Sequence, residues 1–199
     1  MSILEDPIKM RRSTRKYNSK DLPDRLLYNI LEAARWAPAA GNIQNTRILV
    51  IRDPRKKRII ANSCLEQEWI SEAPVILIVC SDSGSLLNIY PKKGKFYAIQ
   101  NTSAAIQNML LEATSLQVSS CWIGAFSEQE LHHELNIPSD IDIFAVITLG
   151  FAKEVPLPTN KISPKAMFYF EKWYETKDKG PTQLKEKFKK TLSKFKFNF

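Results

Sequence analysis

The residues best suited to chemistry form a basic segment near the N-terminus, Arg-Arg-Ser-Thr-Arg-Lys-Tyr at positions 11–17. Arginine offers a planar fork of donors that matches the oxygens of a phosphate, and the hydroxyls of Ser13 and Thr14 add shorter hydrogen bonds. This arginine segment (residues 11–17) predicts a phosphate clamp. A solvated run of charge after a short helix is the alternative.

A second candidate is the sequence Ala-Pro-Ala-Ala-Gly-Asn-Ile-Gln-Asn at positions 37–45, called the amide loop below. Its small side chains let the backbone approach a flat ligand closely. Asn42 and Gln44 each carry a donor and an acceptor on one amide, which suits the edge of a heterocycle such as a pyrimidinedione. A plain connection between a helix and a strand is the alternative.

A third candidate is Cys-Trp-Ile-Gly-Ala-Phe at positions 121–126, where a strand-like run ends in a glycine. Ser127 and Glu130 follow in the pattern of a capping box, which predicts the start of a helix. Backbone N–H groups exposed at such a turn are suited to contact a ligand atom that gains electron density.

The charge of the chain is concentrated at its C-terminal end. The net charge is +8, but residues 177–199 contain eight lysines and two acidic residues, which give +6 and leave +2 for residues 1–176. A nearly neutral body with a basic tail is not the surface of a protein that tracks a nucleic acid. No nucleic-acid or membrane partner is therefore expected for the body.

Length and composition indicate one globular domain, with 199 residues of which 44% are hydrophobic. The longest apolar run, residues 73–80, is too short to cross a bilayer, and the N-terminus lacks the layout of a signal peptide, so we expect a cytoplasmic protein. No metal is expected, because the cysteines lack metal-ligand spacing and His132 and His133 are adjacent on a predicted helix. Neither a Rossmann fingerprint nor a Walker A loop occurs.

Hydrophobic periodicity predicts a mixed chain of helices and strands. A helix after Asp21 buries one face, residues 96–116 form the longest helix, and strands are predicted at 48–51, 73–80, 118–123 and 141–151. The longest helix has apolar and small residues around most of its circumference, which predicts burial on several sides, either in the core of one chain or across a dimer axis. Residues spaced by three and four along it are Ile99, Thr102, Ala105, Ile106, Met109, Leu110 and Ala113. Residues 83–95 are rich in Gly, Ser, Asn and Lys and predict a loop long enough to act as a lid.

These motifs, in this order, resemble the nitroreductase family of flavoproteins. The resemblance rests on Arg-Arg-Ser-x-Arg-x-Tyr, Ala-Pro-x-x-x-Asn-x-Gln, Gln-Asn-Met-Leu-Leu and Cys-Trp-Ile-Gly-Ala-Phe, and it covers residues 8–173. It implies an α+β fold with a mainly antiparallel central sheet flanked by helices, a long buried central helix and a homodimer. One FMN per subunit is implied in each of two interface pockets. Residues 1–176 would form this domain and residues 177–199 a separate tail.

The resemblance also assigns roles to residues. Arg11, Arg12 and Ser13 would hold the FMN phosphate and ribityl chain, with Lys161 completing the clamp, and Arg15 would lie by the N1 and O2 edge of the flavin. The Ile123 backbone N–H, with Gly124 beside it, would face N5. Residues of the amide loop would line the flavin, partly from the other subunit: Pro38, Ala39, Ala40, Asn42 and Gln44. Arg15, Ile123 and Gly124 would be the catalytic set.

The implied activity is an NAD(P)H-dependent, nitroreductase-like flavin oxidoreductase. A hydride from NADH or NADPH would reduce flavin N5, and electrons would pass in ping-pong fashion to a small acceptor such as a nitroaromatic or a quinone. The sequence names neither the acceptor nor the preferred nicotinamide. Alternatives are a non-catalytic flavin-binding or interaction protein, or a family member specialised for dehalogenation or flavin fragmentation.

Some positions depart from the family pattern. Ala39 and Ala40 stand where hydroxyl residues are usual, Asn45-Thr46 replaces a common Pro-Trp, Asn101 replaces a frequent Asp, and Asn160 replaces a frequent Arg. These departures bear on the substrate class more than on FMN binding.

The tail has a pattern of its own, with apolar residues spaced by three and four among lysines: Leu184, Phe188, Leu192, Phe195 and Phe199. This spacing predicts an amphipathic basic helix. Packing on the partner subunit is the interpretation we favour, and binding to an anionic membrane or a nucleic acid is the alternative.

Overall fold

The computed structural model describes residues 6–173. The chain divides into two compact units, residues 1–157 and residues 158–199, which are treated separately. The first unit contains the whole sheet and the helices that cover it.

The described part of the first unit is built on a four-stranded sheet. Its strands are β1 Thr46–Ile51, β2 Val75–Asp82, β3 Ser119–Ile123 and β4 Ile141–Gly150. They lie in the order β1-β2-β4-β3, and every neighbouring pair is antiparallel. Strands β2 and β4 are central. Both faces of each strand are covered, so their sequences are mostly apolar along their length.

Helices flank this sheet on both faces, as predicted for the α+β class. In the first unit they are α1 Pro7–Met10, α2 Asp24–Arg35, α3 Pro54–Ser63, α4 Trp69–Glu72, α5 Gly84–Ile89, α6 Gly94–Ser115 and α7 Glu128–Leu135.

One face of the sheet is covered by α2 and α6. Leu27 and Ile30 of α2 and Met109 of α6 belong to the same buried cluster as Leu77 of β2 and Ile147 of β4. The predicted apolar faces of the two helices are thus the faces that pack, and their burial supplies most of their stability.

The opposite face is covered by α3, α4 and α7. Ile60, Ile70 and Leu131, one from each helix, are fully buried in a second cluster with Ile76 and Ile78 of β2. Local capping fixes where two of these helices begin. The Asp53 carboxylate accepts hydrogen bonds from the backbone N–H groups of the first turn of α3, and the Ser127 hydroxyl accepts one in α7.

One detail of the predicted elements is wrong. Residues 84–89 form helix α5 and α6 begins at Gly94, so most of the predicted loop at residues 83–95 is helical. The helix packs closely on the start of α6, since a Cβ on Gly94 would stand 2.8 Å from the Leu87 Cα. In the single chain Ile99 of α6 is 49% exposed, and Phe96, one turn earlier, is 58% exposed.

Across residues 6–173, the structure holds no helix that combines the length and the apolar character needed to cross a membrane.

In the second unit, the structure describes residues 158–173. They contain the short helix α8 Pro164–Met167 and an aromatic contact between Tyr169 and Trp173, whose ring centroids are 4.7 Å apart. The predicted domain boundary at residue 176 and the predicted tail helix in residues 177–199 lie outside the described residues.

Gly150, at the end of β4, is packed too closely for a side chain. A Cβ there would stand 2.5 Å from the Pro74 Cδ and 2.9 Å from the Tyr17 Cδ1, so Gly150→Ala should destabilise the fold by about 1–3 kcal/mol. Chemical denaturation of the two proteins measures this. Gly84→Ala is the matched control, since a Cβ there meets nothing closer than 3.5 Å, and equal losses in both variants would contradict the packing described.

Candidate cofactor site

The arginine segment is held along the free edge of β3. Ser13 forms a parallel bridge with Ser120, and the Thr14 backbone N–H donates to the Ser120 carbonyl at 2.9 Å. Three residues further on, Tyr17 forms an antiparallel bridge with Ala152, just past the end of β4. The guanidinium groups are therefore carried by an extended backbone that is paired to the sheet.

The buried side chain of Tyr17 anchors the arginine segment to the sheet. Its side chain is 5% exposed, and its hydroxyl donates to the Thr14 carbonyl at 3.0 Å. The Thr148 hydroxyl of β4 lies 2.7 Å from the same oxygen, and it donates there because the tyrosine proton is already used. Burial raises the pKa of Tyr17 far above its ordinary value, so the hydroxyl stays protonated.

Arg15, Arg11 and Ser13 converge near Cys121 of β3. Burial raises the pKa of the Cys121 thiol above its ordinary value, and the Arg15 charge, a hydrogen bond with Ser13 and the Arg11 charge all oppose that shift. The Arg15 guanidinium carbon also lies 5.9 Å from the ring centroid of Trp69 in α4, a cation–π contact. The structure thus brings two of the predicted phosphate ligands and the predicted flavin-edge arginine to one strand.

Arg12 is engaged differently from its neighbours. Its Nη1 donates to the carbonyl of Lys9 and, at 3.0 Å, to that of Arg11, so its guanidinium caps the C-terminal end of α1. A cation at that end of a helix meets carbonyls that lack partners within the helix. The role of Arg12 as a phosphate ligand remains a prediction.

β3 ends at Ile123, which is 5% exposed, and is followed by the exposed Gly124. No heavy atom lies within 4 Å of the place where a Cβ on Gly124 would stand. A ligand can therefore approach the backbone closely here, three residues beyond Cys121.

The amide loop forms a tight turn before β1. Residues Ala40–Asn42 make a single 3-10 turn, and both Gly41 and Asn42 have positive φ angles of 58° and 56°. The Gln44 side-chain amide donates to the Asn42 side-chain oxygen at 3.0 Å, which presents the two amides together on the exposed surface. Backbone and side chain together thus set the direction in which these amides point.

A cavity of about 360 Å³ lies beside this loop. Pro38, Ala39, Gln44 and Asn101 are among the residues that line it. Three of the residues predicted to line the flavin, Pro38, Ala39 and Gln44, therefore line this cavity.

The arginine segment and the amide loop lie on opposite edges of the sheet. The segment pairs with β3 at one edge, and the loop leads directly into β1 at the other. Three strand spacings separate the edges, about 14 Å across the sheet. The two sets of residues are also displaced along the strands. The start of β1 is level with Asp142 of β4, whereas Ile123 at the end of β3 is level with Val146. One chain does not bring the two sets of predicted residues together.

Lys161 belongs to the second unit. It is exposed, and its amine donates to the Thr159 hydroxyl at 3.2 Å. Its role in a phosphate clamp remains a prediction.

Sequence reasoning gave no role in the site to two residues that shape it. Trp69 contacts Arg15 only because the fold brings α4 beside the arginine segment, and no local pattern signals this. Asn101 bonds the amide loop at the Ala40 N–H. Its signal was an amide on the otherwise apolar buried face of α6, beside Thr102.

Comparison with known proteins assigns the class. The model of the nitroreductase family matches residues 8–151, and the chain therefore belongs to the nitroreductase family. An NADH dehydrogenase of Thermus thermophilus is 31% identical over 182 residues, covering 76% of this chain and 88% of that protein. The expectation of an enzyme of this family is confirmed.

Solved structures show the same fold. Nitroreductase A from Vibrio parahaemolyticus superposes with a TM-score of 0.79 at 20% identity, covering 98% of this chain and 84% of its own. An NADPH:FMN oxidoreductase from Vibrio harveyi, complexed with NAD+, superposes with a TM-score of 0.78 at 19% identity, covering 94% and 84%. The predicted nitroreductase-like α+β fold is confirmed.

Gly124→Ala tests whether the space beside Gly124 receives a ligand. The new methyl group meets no atom of the protein, so thermal unfolding of the FMN-free variant should match the original within about 0.5 kcal/mol. The dissociation constant for FMN, measured by quenching of flavin fluorescence, should rise because the methyl group takes ligand space. An unchanged FMN affinity would place the flavin elsewhere.

Proposed function

We propose that this protein is an FMN-dependent oxidoreductase that accepts a hydride from NADH or NADPH and reduces a small acceptor such as a nitroaromatic or a quinone. The observation that carries the proposal is the convergence of Arg11, Ser13 and Arg15 beside β3, near Cys121. Family membership supports it, as does the likeness to a protein that is itself an NADPH:FMN oxidoreductase.

The residues present fit this cofactor. The Arg11 guanidinium and the Ser13 hydroxyl on one paired backbone segment form a donor set for a phosphate, and Arg15 on the same segment supplies a cation for the flavin edge. The open space at Gly124 admits a planar ring against the backbone, and the exposed amides of Asn42 and Gln44 suit the polar edge of such a ring. When bound, FMN supplies the two-electron redox chemistry of the reaction.

The chain contributes binding, orientation and charge. Arg11 and Ser13 bind the phosphate and ribityl chain, with Arg12 and Lys161 as further ligands. Arg15, held against the Trp69 ring, places positive charge where negative charge develops in reduction, which lowers the barrier because the charge is already in position. The Ile123 N–H and the bare backbone at Gly124 orient the reacting edge. The proposal assigns no acid or base to the protein.

The site is completed by a second copy of the chain. Because the arginine segment and the amide loop lie at opposite edges of the sheet, a single cofactor contacts both only when the loop comes from a partner. Phe96 and Ile99 of α6, exposed on the outer side of the helix that packs on the sheet, supply an apolar surface for such a dimer. A two-fold dimer would then carry two equivalent sites.

Anaerobic reduction is the experiment that tests the proposal. The purified protein loaded with FMN should be yellow and should bleach when NADH or NADPH is added without oxygen. The colour should return when a nitroaromatic or a quinone follows. Binding of FMN without bleaching would indicate a non-catalytic flavin protein, and failure to bind FMN would overturn the assignment altogether.

Arg15→Ala should slow flavin reduction more than it weakens FMN binding. We expect the rate of bleaching in anaerobic stopped flow to fall by at least about tenfold, because a preorganised charge at the reacting edge is lost. The FMN dissociation constant should rise by a smaller factor. Lys16→Ala is the matched control, since Lys16 pairs with Glu154 at 2.8 Å on the surface. Equal reduction rates in both variants would remove Arg15 from the reaction.

A further inference from the structure

A line of buried polar groups begins at the amide loop and runs across the end of the sheet. The Ala40 backbone N–H donates to the Asn101 Oδ1 at 2.8 Å, and the Asn101 Nδ2 donates to the Asn45 Oδ1 at 2.7 Å. The Asn45 Nδ2 then donates to the Ser81 hydroxyl oxygen at 2.7 Å. All three side chains are at most 6% exposed, so water does not replace a bond that is lost.

The line ends on a carboxylate. The Ser83 hydroxyl donates to the Asp142 Oδ2 at 2.7 Å, and the hydroxyl oxygens of Ser81 and Ser83 are 3.2 Å apart. Because the single proton of Ser83 is used on Asp142, the bond between the two serines requires Ser81 as the donor.

All five bonds therefore point the same way, from the Ala40 N–H to the Asp142 carboxylate. The ends impose this direction, because a backbone N–H only donates and an ionised carboxylate only accepts. Every group between them accepts on one side and donates on the other. An amide or a hydroxyl can do this, and an ionised carboxylate cannot.

Asn101 is the member that joins the 3-10 turn of the loop to the rest of the line. Besides holding the Ala40 N–H, its Nδ2 lies 3.4 Å from the Ile43 carbonyl, so one side chain contacts the loop on both sides of its 3-10 turn. The bonds that the turn makes within itself, Asn42 N to Ala39 O and Ile43 N to Ala40 O, shape it but do not attach it to the rest of the protein.

We propose that Asn101 is a positioning residue for the cofactor, which holds the amide loop in its flavin-contacting place through this one-directional hydrogen-bond line. The inference rests on the proposed function, since the loop contacts FMN only if FMN binds. Asn101 itself acts through the loop and needs no contact with the cofactor.

Asn101→Asp breaks the line with a nearly isosteric side chain. A carboxylate keeps the acceptor for the Ala40 N–H but places a second acceptor against the Asn45 Oδ1, so the loop shifts to relieve the contact. We expect the FMN dissociation constant to rise by about tenfold, the factor that follows from one unsatisfied buried pair. In the FMN-free protein, hydrogen exchange at the Ala40 amide should become faster.

The sharper test is rescue from the far end of the line. In the double variant N101D/D142N, an amide at position 142 donates to Ser83, each following donor reverses, and Asn45 donates to the carboxylate at position 101. FMN affinity and Ala40 exchange should return towards those of the original protein. D142N alone should cost much less than N101D, because an amide oxygen still accepts from Ser83.

Asn108→Asp is the matched control on the same helix. Asn108 donates to the Ala33 carbonyl at 3.2 Å, outside the line, so D142N should not rescue any effect of N108D. Ala40 exchange that is unchanged in N101D, or an N101D defect in folding or FMN binding that D142N does not relieve, would overturn the inference. Absence of FMN binding by the original protein would instead overturn the proposed function, and Ala40 exchange would still decide whether the line holds the loop.

Discussion

The pairing of the arginine segment with β3 is the constraint on which the site depends. Two hydrogen bonds hold it in place, from the Thr14 N–H to the Ser120 carbonyl and from the buried Tyr17 hydroxyl to the Thr14 carbonyl, while Thr148 anchors Tyr17 to the central strand β4. Mutually repelling cations would spread apart on a free chain, and here the sheet supplies the free energy that keeps them together. The Arg15 side chain is oriented in turn by Trp69.

The same pairing is the reason why the proposed site needs a second copy of the chain. It commits the phosphate-binding groups to one edge of the sheet, whereas β1 carries the amide loop at the other edge. In the proposed dimer, a flavin that needs both would be bound between two copies, and the exposed Phe96 and Ile99 on α6 would offer the surface to join them. The loop must then arrive at the partner's cofactor already shaped, which explains why a buried hydrogen-bond line reaching to Asp142 supports it.

The sequence predicted the elements whose signals are local. The period of α2 and the apolar run of β2 depend on neighbouring residues, and each was located to within a few residues. Helix α5 was missed because its Gly, Ser and Asn residues indicate a loop, and its packing on Gly94 is tertiary. The roles of Arg11, Ser13 and Arg15 were predicted from the resemblance of the motifs, in their order, to the family. The contact of Trp69 with Arg15 could be found only from the fold. The same is true of the hydrogen bond between Asn101 and Asn45, two residues that depart from the family pattern.

The most direct test of the shared site uses one block in each half, Gly124→Trp beside β3 and Ala39→Trp in the amide loop, with FMN bound per purified heterodimer as the measurement. When the two blocks are on different chains, one site receives both and the other receives none, so one FMN should bind. When both blocks are on one chain and its partner is unmodified, each site receives one block and no FMN should bind. A site contained within a single chain would give the opposite pair of results, and that outcome would contradict the account.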